Sequence, residues 1–119
     1  MKIIQLNLQT ETKNMAESYR KELVQRITKN LLDIQLLRLI QNHPNTWGYQ
    51  IKKKFEADSN ITLRHGALYP MLNALEKRGF LTSQKQRHNG RARKVYIITK
   101  DGKEYLRAYN SILSEQLET

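Results

Sequence analysis

Apolar residues recur at helical spacing through most of the chain and switch once to strict alternation. From Thr12 to Lys29, Met15, Tyr19, Leu23 and Ile27 return every four residues, which predicts an amphipathic helix with a charged opposite face. Leu31 to Gln41 is denser: Leu32, Leu36, Leu39 and Ile40 face one way with Leu31 and Leu37 beside them, as expected of a central core helix. No Gly or Pro occurs between Met1 and His43, so the break between these helices is placed at Thr28-Lys29-Asn30, where cap-forming side chains cluster. Pro44 ends the second helix, and Asn45-Thr46 reads as the N-cap of a third in which Trp47, Ile51 and Phe55 repeat at i, i+4, i+8. Ala57–Ile61 reads as a turn, and Leu68, Met71, Leu72 and Leu75 form the core stripe of a fourth helix within Leu63–Leu81. Alternation then begins, Leu81, Ser83, Lys85 against Thr82, Gln84, Gln86, and a second β-rich run follows in Lys94–Ile98. Between the runs lies Asn89-Gly90, whose two residues suit the positive φ angles of a type I′ turn. Thr99 caps a final helix over Lys100–Leu117, with Leu106, Tyr109, Leu113 and Leu117 on one stripe. Met1–Gln9 alternates weakly and fits either a short strand or an arm.

The fourth helix carries the candidate chemistry. Opposite its core stripe lie Thr62, Gly66, Tyr69, Pro70, Asn73 and Lys77, small, aromatic and amide side chains where a solvated helix would show Glu and Lys. Gly66 and Ala67 permit close approach, and Tyr69 and Asn73 offer hydrogen bonds without charge, which suits insertion into a DNA groove. A frayed first turn with Tyr69 half buried would use the same residues. The cationic hairpin that follows favours the groove, because Lys85, Arg87, Arg91, Arg93 and Lys94 ring its tip and shoulders without an acidic residue among them. A helix followed directly by such a hairpin is the winged helix-turn-helix arrangement, and the fold class is therefore mainly α with a small β-hairpin, extended by extra N- and C-terminal helices.

Charge is concentrated on that unit. Residues 61–98 carry eight Lys/Arg and one Asp/Glu, most of the formal net charge of +10. A positive field on one unit attracts a polyanion, with binding that falls steeply as salt rises. A membrane-surface role would instead need a basic amphipathic helix, whereas the cluster here sits on a hairpin. Lys52–Lys54 lie toward the far side of the helix that crosses the phosphate backbone in this arrangement, so Lys53 joins the candidate contacts. The candidate DNA-binding set is Lys53, Thr62, Arg64, His65, Gly66, Tyr69, Asn73, Lys77, Arg87, Arg91, Arg93 and Lys94.

The 119 residues suffice for one domain with a modest core, divided as residues 1–30, an arm and amphipathic helix; 31–98, the DNA-binding unit; and 99–119, a dimerisation helix. With 39% hydrophobic residues, the chain leaves apolar surface for a partner to complete. The candidate dimer interface is Met15, Tyr19 and Leu23 with Leu106, Tyr109 and Leu113, because an amphipathic helix at a chain end must pack on something. The chain contains no cysteine, so disulfides, thiolate metal sites and Cys nucleophiles are excluded together. The N-terminal stretch lacks the apolar length of a signal peptide or membrane span, and a cytoplasmic location is expected.

Trp47-Gly48-Tyr49-Gln50-Ile51, Gly66-Ala67-Leu68-Tyr69-Pro70 with Leu72, Leu75, Glu76 and Gly79, then Arg91–Tyr96 with Thr99 and Gly102, resemble in order and spacing the signature blocks of the PadR family of winged-helix transcriptional regulators. The resemblance covers Leu31 to Leu106. It implies a homodimer bound to operator DNA, usually as a repressor. It also implies a Gly-Tyr pair, here Gly48-Tyr49, closing the first helix against the second. Tyr69 would touch the DNA backbone, and Arg91, Arg93 and Lys94 would form the wing. Two departures stand out: the single C-terminal helix matches the short-tailed members, and the helix before Leu31 is longer than the usual lead-in. Some members bind flat aromatic effectors at the dimer interface; Trp47 lies inside the helix-turn-helix, where a core role is assigned to it, so the sequence gives no support for an effector.

Enzymatic readings find no footing. His43, His65 and His88 lack metal-ligand spacing, and there is no Gly-rich phosphate loop or local nucleophile–base pattern, so no cofactor or metal is expected. His65 and Arg64 read better as phosphate or base contacts. A non-specific architectural or RNA-binding winged helix remains the alternative to sequence-specific duplex recognition.

Overall fold

A computed structural model of the chain describes residues 15–59 and 61–118. The alternation at Met1–Gln9, the first turn expected from Thr12 and position 60 of the expected turn lie outside them. In chain order the elements are α1 (Met15–Asn30), α2 (Leu32–Asn42), β1 (Thr46–Trp47), α3 (Gly48–Ser59), α4 (His65–Lys77), β2 (Leu81–His88), β3 (Arg91–Ile98) and α5 (Lys100–Leu117). The strands form one antiparallel sheet in the order β1-β3-β2.

Helix α2 is the centre of the core, as its leucine density predicts. Leu36, Leu37, Leu39 and Ile40 are fully buried there with Ile51 and Phe55 of α3 and Leu68 and Leu72 of α4. Leu81, Tyr96 and Ile98 close the core from the sheet. The break between α1 and α2 falls at Leu31, one residue past the expected cluster, and Leu31 caps α2 without a side-chain hydrogen bond. The hairpin loop is two residues long: Asn89 and Gly90 have φ of 54° and 79°, and His88 pairs directly with Arg91. Thr99 caps α5 as expected, its hydroxyl accepting from the Gly102 amide at 3.1 Å.

Three expectations need correction. Thr46 and Trp47 do not open a helix; they pair with Tyr96 and Val95 as a third strand, and α3 begins at Gly48. The β-branched and aromatic pair preferred an extended ladder with β3 over the first turn of a helix. The expected turn at Ala57 begins later, because α3 runs on to Ser59. Finally, Leu106 is only 3% exposed and belongs to the monomer core, with Tyr109 and Tyr105 packed against it. The first half of the α5 stripe is therefore covered by its own domain, so Leu106 is removed from the candidate dimer interface and Tyr109 is at most half available. Farther along, Leu113 is 44% exposed and Leu117 81% exposed.

Candidate nucleic-acid interface

The turn between α3 and α4 is organised by one carboxylate. Glu56 accepts from the Leu63 amide at 2.8 Å and pairs with Lys52 at 2.9 Å, so the loop leaving α3 is tied back to that helix before α4 begins. The Leu63 hydrogen bond, followed by that from Lys52, holds the Glu56 carboxyl below its ordinary pKa. Ser59 continues the same closure, donating to the Phe55 carbonyl and accepting from the Ile61 amide. Arg64 then takes an extended conformation and caps α4 without a side-chain hydrogen bond. The Ala67 and Leu68 amides already donate to the Arg64 carbonyl at 2.9 and 3.2 Å, so only the two amides before them face outward, at the end of the helix dipole that favours an anion.

The outward face of α4 is open. Thr62, Arg64, Gly66, Asn73 and Lys77 are exposed, as is Lys53 on α3, and His65 opens the helix. Space above Gly66 is empty to 4 Å. Pro70 has no amide hydrogen, so it cannot donate to the Gly66 carbonyl one turn earlier, which leaves an acceptor on this face. Tyr69 is 40% exposed, but it also packs: a Cβ added at Gly48 would lie 2.5 Å from its ring. Gly48 therefore admits the Tyr69 ring between α3 and α4. Tyr49, which the resemblance placed in that closure, is instead exposed with Lys53 over its ring at 5.6 Å.

The wing is latched to α4. Glu76 accepts from the Ser83 hydroxyl at 2.5 Å and pairs with Lys94 at 3.0 Å, joining the recognition helix to β2 and β3 together. Lys94 pairs with Glu76 and lies over the face of Tyr96, so it braces the wing while its side chain stays exposed beside the other candidate contacts. Its alternation partners on the strand faces explain the placement: Ser83, Lys94 and Tyr96 share the face turned to α4. Arg87 and Arg91 remain exposed at the tip, with Arg87 donating to the Gly90 carbonyl at 3.2 Å.

Hydrogen bonding by Ser83, then Lys94, holds the Glu76 carboxyl below its ordinary value of 4.5. A depressed carboxyl stabilises the fold above that value and loses the contribution as pH falls through its folded-state pKa. Because the pair is partly exposed, we expect less than about 1 kcal/mol from it. Protection factors of the wing amides, taken relative to the intrinsic exchange rate at each pH, should fall below about pH 4.5 in the wild type, and Glu76→Gln should remove that fall.

Sequence reasoning missed a stack beside the wing. Trp47 is half-buried, not a core residue: Arg93 lies 5.0 Å over its ring, and His88 approaches it at 4.8 Å between centroids. Arg93 is thus held on an aromatic face, half-buried, while still lining a cleft of about 350 Å³ with Gly48, Tyr69 and Asn73. The signal was the strand register, which puts Trp47 opposite Val95 and so on the Arg93 face; the helical assignment of Trp47 hid it.

An uncapped, outward-facing helix that follows a tight turn and is braced to a cationic hairpin defines a winged-helix DNA-binding regulator. The chain belongs to the PadR-like family of transcriptional regulators, whose family model matches residues 36–108. Among solved structures, a Streptococcus mutans UA159 protein is 30% identical, over 75% of this chain and 81% of its own, with a TM-score of 0.64. A PadR family transcription regulator from hypervirulent Clostridium difficile R20291 is 25% identical over 71% of this chain and 91% of its own, with a TM-score of 0.62. A PadR family transcriptional regulator from Eggerthella lenta DSM 2243 shares the fold at a TM-score of 0.69, with 24% identity over 88% of this chain and 92% of its own. No curated protein matches the chain. Family membership makes the protein a DNA-binding transcriptional regulator and not an enzyme. Among the described residues, no His, Asp and Glu side chains gather as a metal site, and no helix is long and apolar enough to cross a membrane.

Proposed function

We propose that the protein is a sequence-specific double-stranded DNA-binding repressor that acts as a homodimer in the cytoplasm. The observation that carries this reading is the open face of α4, lined by Thr62, Arg64, Gly66, Tyr69, Asn73 and Lys77, beside a wing tip that exposes Arg87 and Arg91. In this reading α4 enters the major groove, its N-terminal amides and Arg64 meet phosphate, and the wing lies along the neighbouring backbone. Residues 31–98 supply recognition, and the terminal helices supply dimerisation. Support for the dimer comes from two exposed apolar stripes: Met15, Tyr19 and Leu23 on α1, and Ile112, Leu113 and Leu117 on α5. A two-fold pair would place two recognition helices about 34 Å apart on one face of the duplex, and occupancy of a promoter-overlapping site would repress.

Wing arginines that neutralise phosphate give affinity without sequence information. Replacing Arg87 and Arg91 with Ala should weaken binding to all duplexes alike and lower the magnitude of the salt slope by about 0.9 per lost contact, doubled in a dimer. An unchanged slope in a titration across salt concentrations would remove the wing from the interface. Tyr69→Phe keeps the ring over Gly48 but removes the hydroxyl. It should cost on the order of 1 kcal/mol of DNA binding per subunit, with the thermal midpoint shifted by no more than about 2–4 °C.

A further inference from the structure

Beneath the second half of α1 lies a cavity of about 660 Å³, bounded by α1, the start of α2, the end of α3 and the segment leading into α4. Its volume falls in the range of small-molecule sites. Leu32, Ile61, Leu63 and Ala67 make an aliphatic wall, and the charged residues that line it among those described are Lys29 and Arg64, both exposed and both cationic. Thr28, also lining it, is 4% exposed, and its hydroxyl has no hydrogen-bond partner among the described residues. A buried hydroxyl without a partner is costly to leave so, and an arriving acceptor relieves it. Gln25, Thr28 and Lys29 belong to α1, which precedes the family-matched residues 36–108.

We propose that this cavity binds a medium-chain aliphatic carboxylate, its tail against the aliphatic wall and its carboxylate on Lys29 and Arg64. Charge decides the head group: among the described residues two cations line the cavity and no acidic one does, so a neutral alcohol gains less there and an amine is repelled. The tail is set by the wall, which offers one aromatic side chain, Phe55, among aliphatic ones. Arg64 also stands at the uncapped start of α4. Resting on the function proposed above, a carboxylate held by Arg64 competes with a DNA phosphate for the same guanidinium, so ligand and DNA weaken each other by equal factors. The ligand thus acts as an inducer that lifts repression. Along α1, Thr28 lies roughly opposite Tyr19 and Leu23 at about 100° per residue, so the cavity and the proposed dimer stripe use different faces of one helix.

Calorimetric titration of octanoate into the full chain without DNA tests the site itself. We expect saturable binding of one octanoate per chain, with octanol and butyrate each at least tenfold weaker. Lys29→Gln should weaken octanoate about tenfold and leave octanol unchanged. Gln25→Trp, which puts a ring into the cavity from an exposed position, should abolish binding of both without lowering the thermal midpoint. Absence of saturable octanoate binding at millimolar concentration, or binding indifferent to both substitutions, overturns the proposal. A parallel DNA titration reads the coupling: saturating octanoate should weaken wild-type DNA binding at least threefold and leave Gln25→Trp unaffected. Undiminished DNA affinity in octanoate-saturated wild type overturns the role given to Arg64. If the protein fails to bind DNA at all, the DNA-free calorimetry still decides the cavity, so failure of the two readings is distinguishable.

Discussion

With the proposed dimer, Leu113→Glu is expected to give a folded monomer whose operator affinity is lower by about 10²–10⁴-fold. Leu113 is 44% exposed in the monomer, on the part of α5 that runs past Tyr109 beyond the core, with Ile112 and Leu117 exposed nearby. A carboxylate at that position costs the monomer little, since it stays in water, but in a dimer it would be buried without a partner. The monomer keeps every DNA-facing residue of α4 and the wing. It loses the second half-site, whose binding in the dimer is effectively intramolecular. Sedimentation and DNA titration of the same sample check both halves of the result. A Leu113→Glu protein that stays dimeric moves the interface to Met15, Tyr19 and Leu23 of α1, and a wild type that is monomeric at micromolar concentration removes the dimer.

A large loss of stability is expected at Gly102. A Cβ there would overlap the Phe80 carbonyl oxygen and lie 2.7 Å from the Ile98 Cγ1. That carbonyl also accepts the Thr99 amide at 3.0 Å, so Gly102→Ala pushes apart the strand entry and the cap of α5 together. Backbone atoms cannot swing aside as a side-chain tip does. Overpacking of this kind costs about 1–3 kcal/mol, or a fall in the thermal midpoint on the order of 10 °C for a domain of this size. Gly66→Ala is the internal control: with nothing within 4 Å of the added Cβ, it should leave the midpoint unchanged or raise it. Equal midpoints for Gly102→Ala and wild type, measured by thermal denaturation, would contradict the packing described.

Long periodic segments were legible in the sequence because their faces are buried in the way the period demands. The leucines of α2, the Leu68-Leu72-Leu75 stripe and the Thr99-capped α5 follow directly from spacing and cap chemistry, and Asn89-Gly90 specified its own turn. Where a residue's fate depended on a partner distant in sequence, the pattern was silent. Trp47 sits at helical spacing from Ile51, yet pairing with Val95 drew it into the sheet. Leu106 and Leu113 share one stripe, but only the first finds the core beneath it. Lys94 looks like any other wing cation until Glu76 of α4 is placed beside it. Spacing along a helix says which side chains share a face, and the length of the helix relative to its support decides where that face stops being covered. The cavity under α1 was equally invisible, since its walls come from four helices and the segment between α3 and α4.

Selection of duplexes from a random DNA pool by the purified protein, with random duplex and single-stranded RNA titrated at the same salt concentration, tests the central claim most directly. An inverted repeat whose half-site centres lie about 10 base pairs apart should be enriched and bound at least ~10³-fold more tightly than random duplex. Recovery of no sequence preference, or tighter binding of the single-stranded RNA, would contradict the claim and leave a non-specific architectural or RNA-binding winged helix in its place.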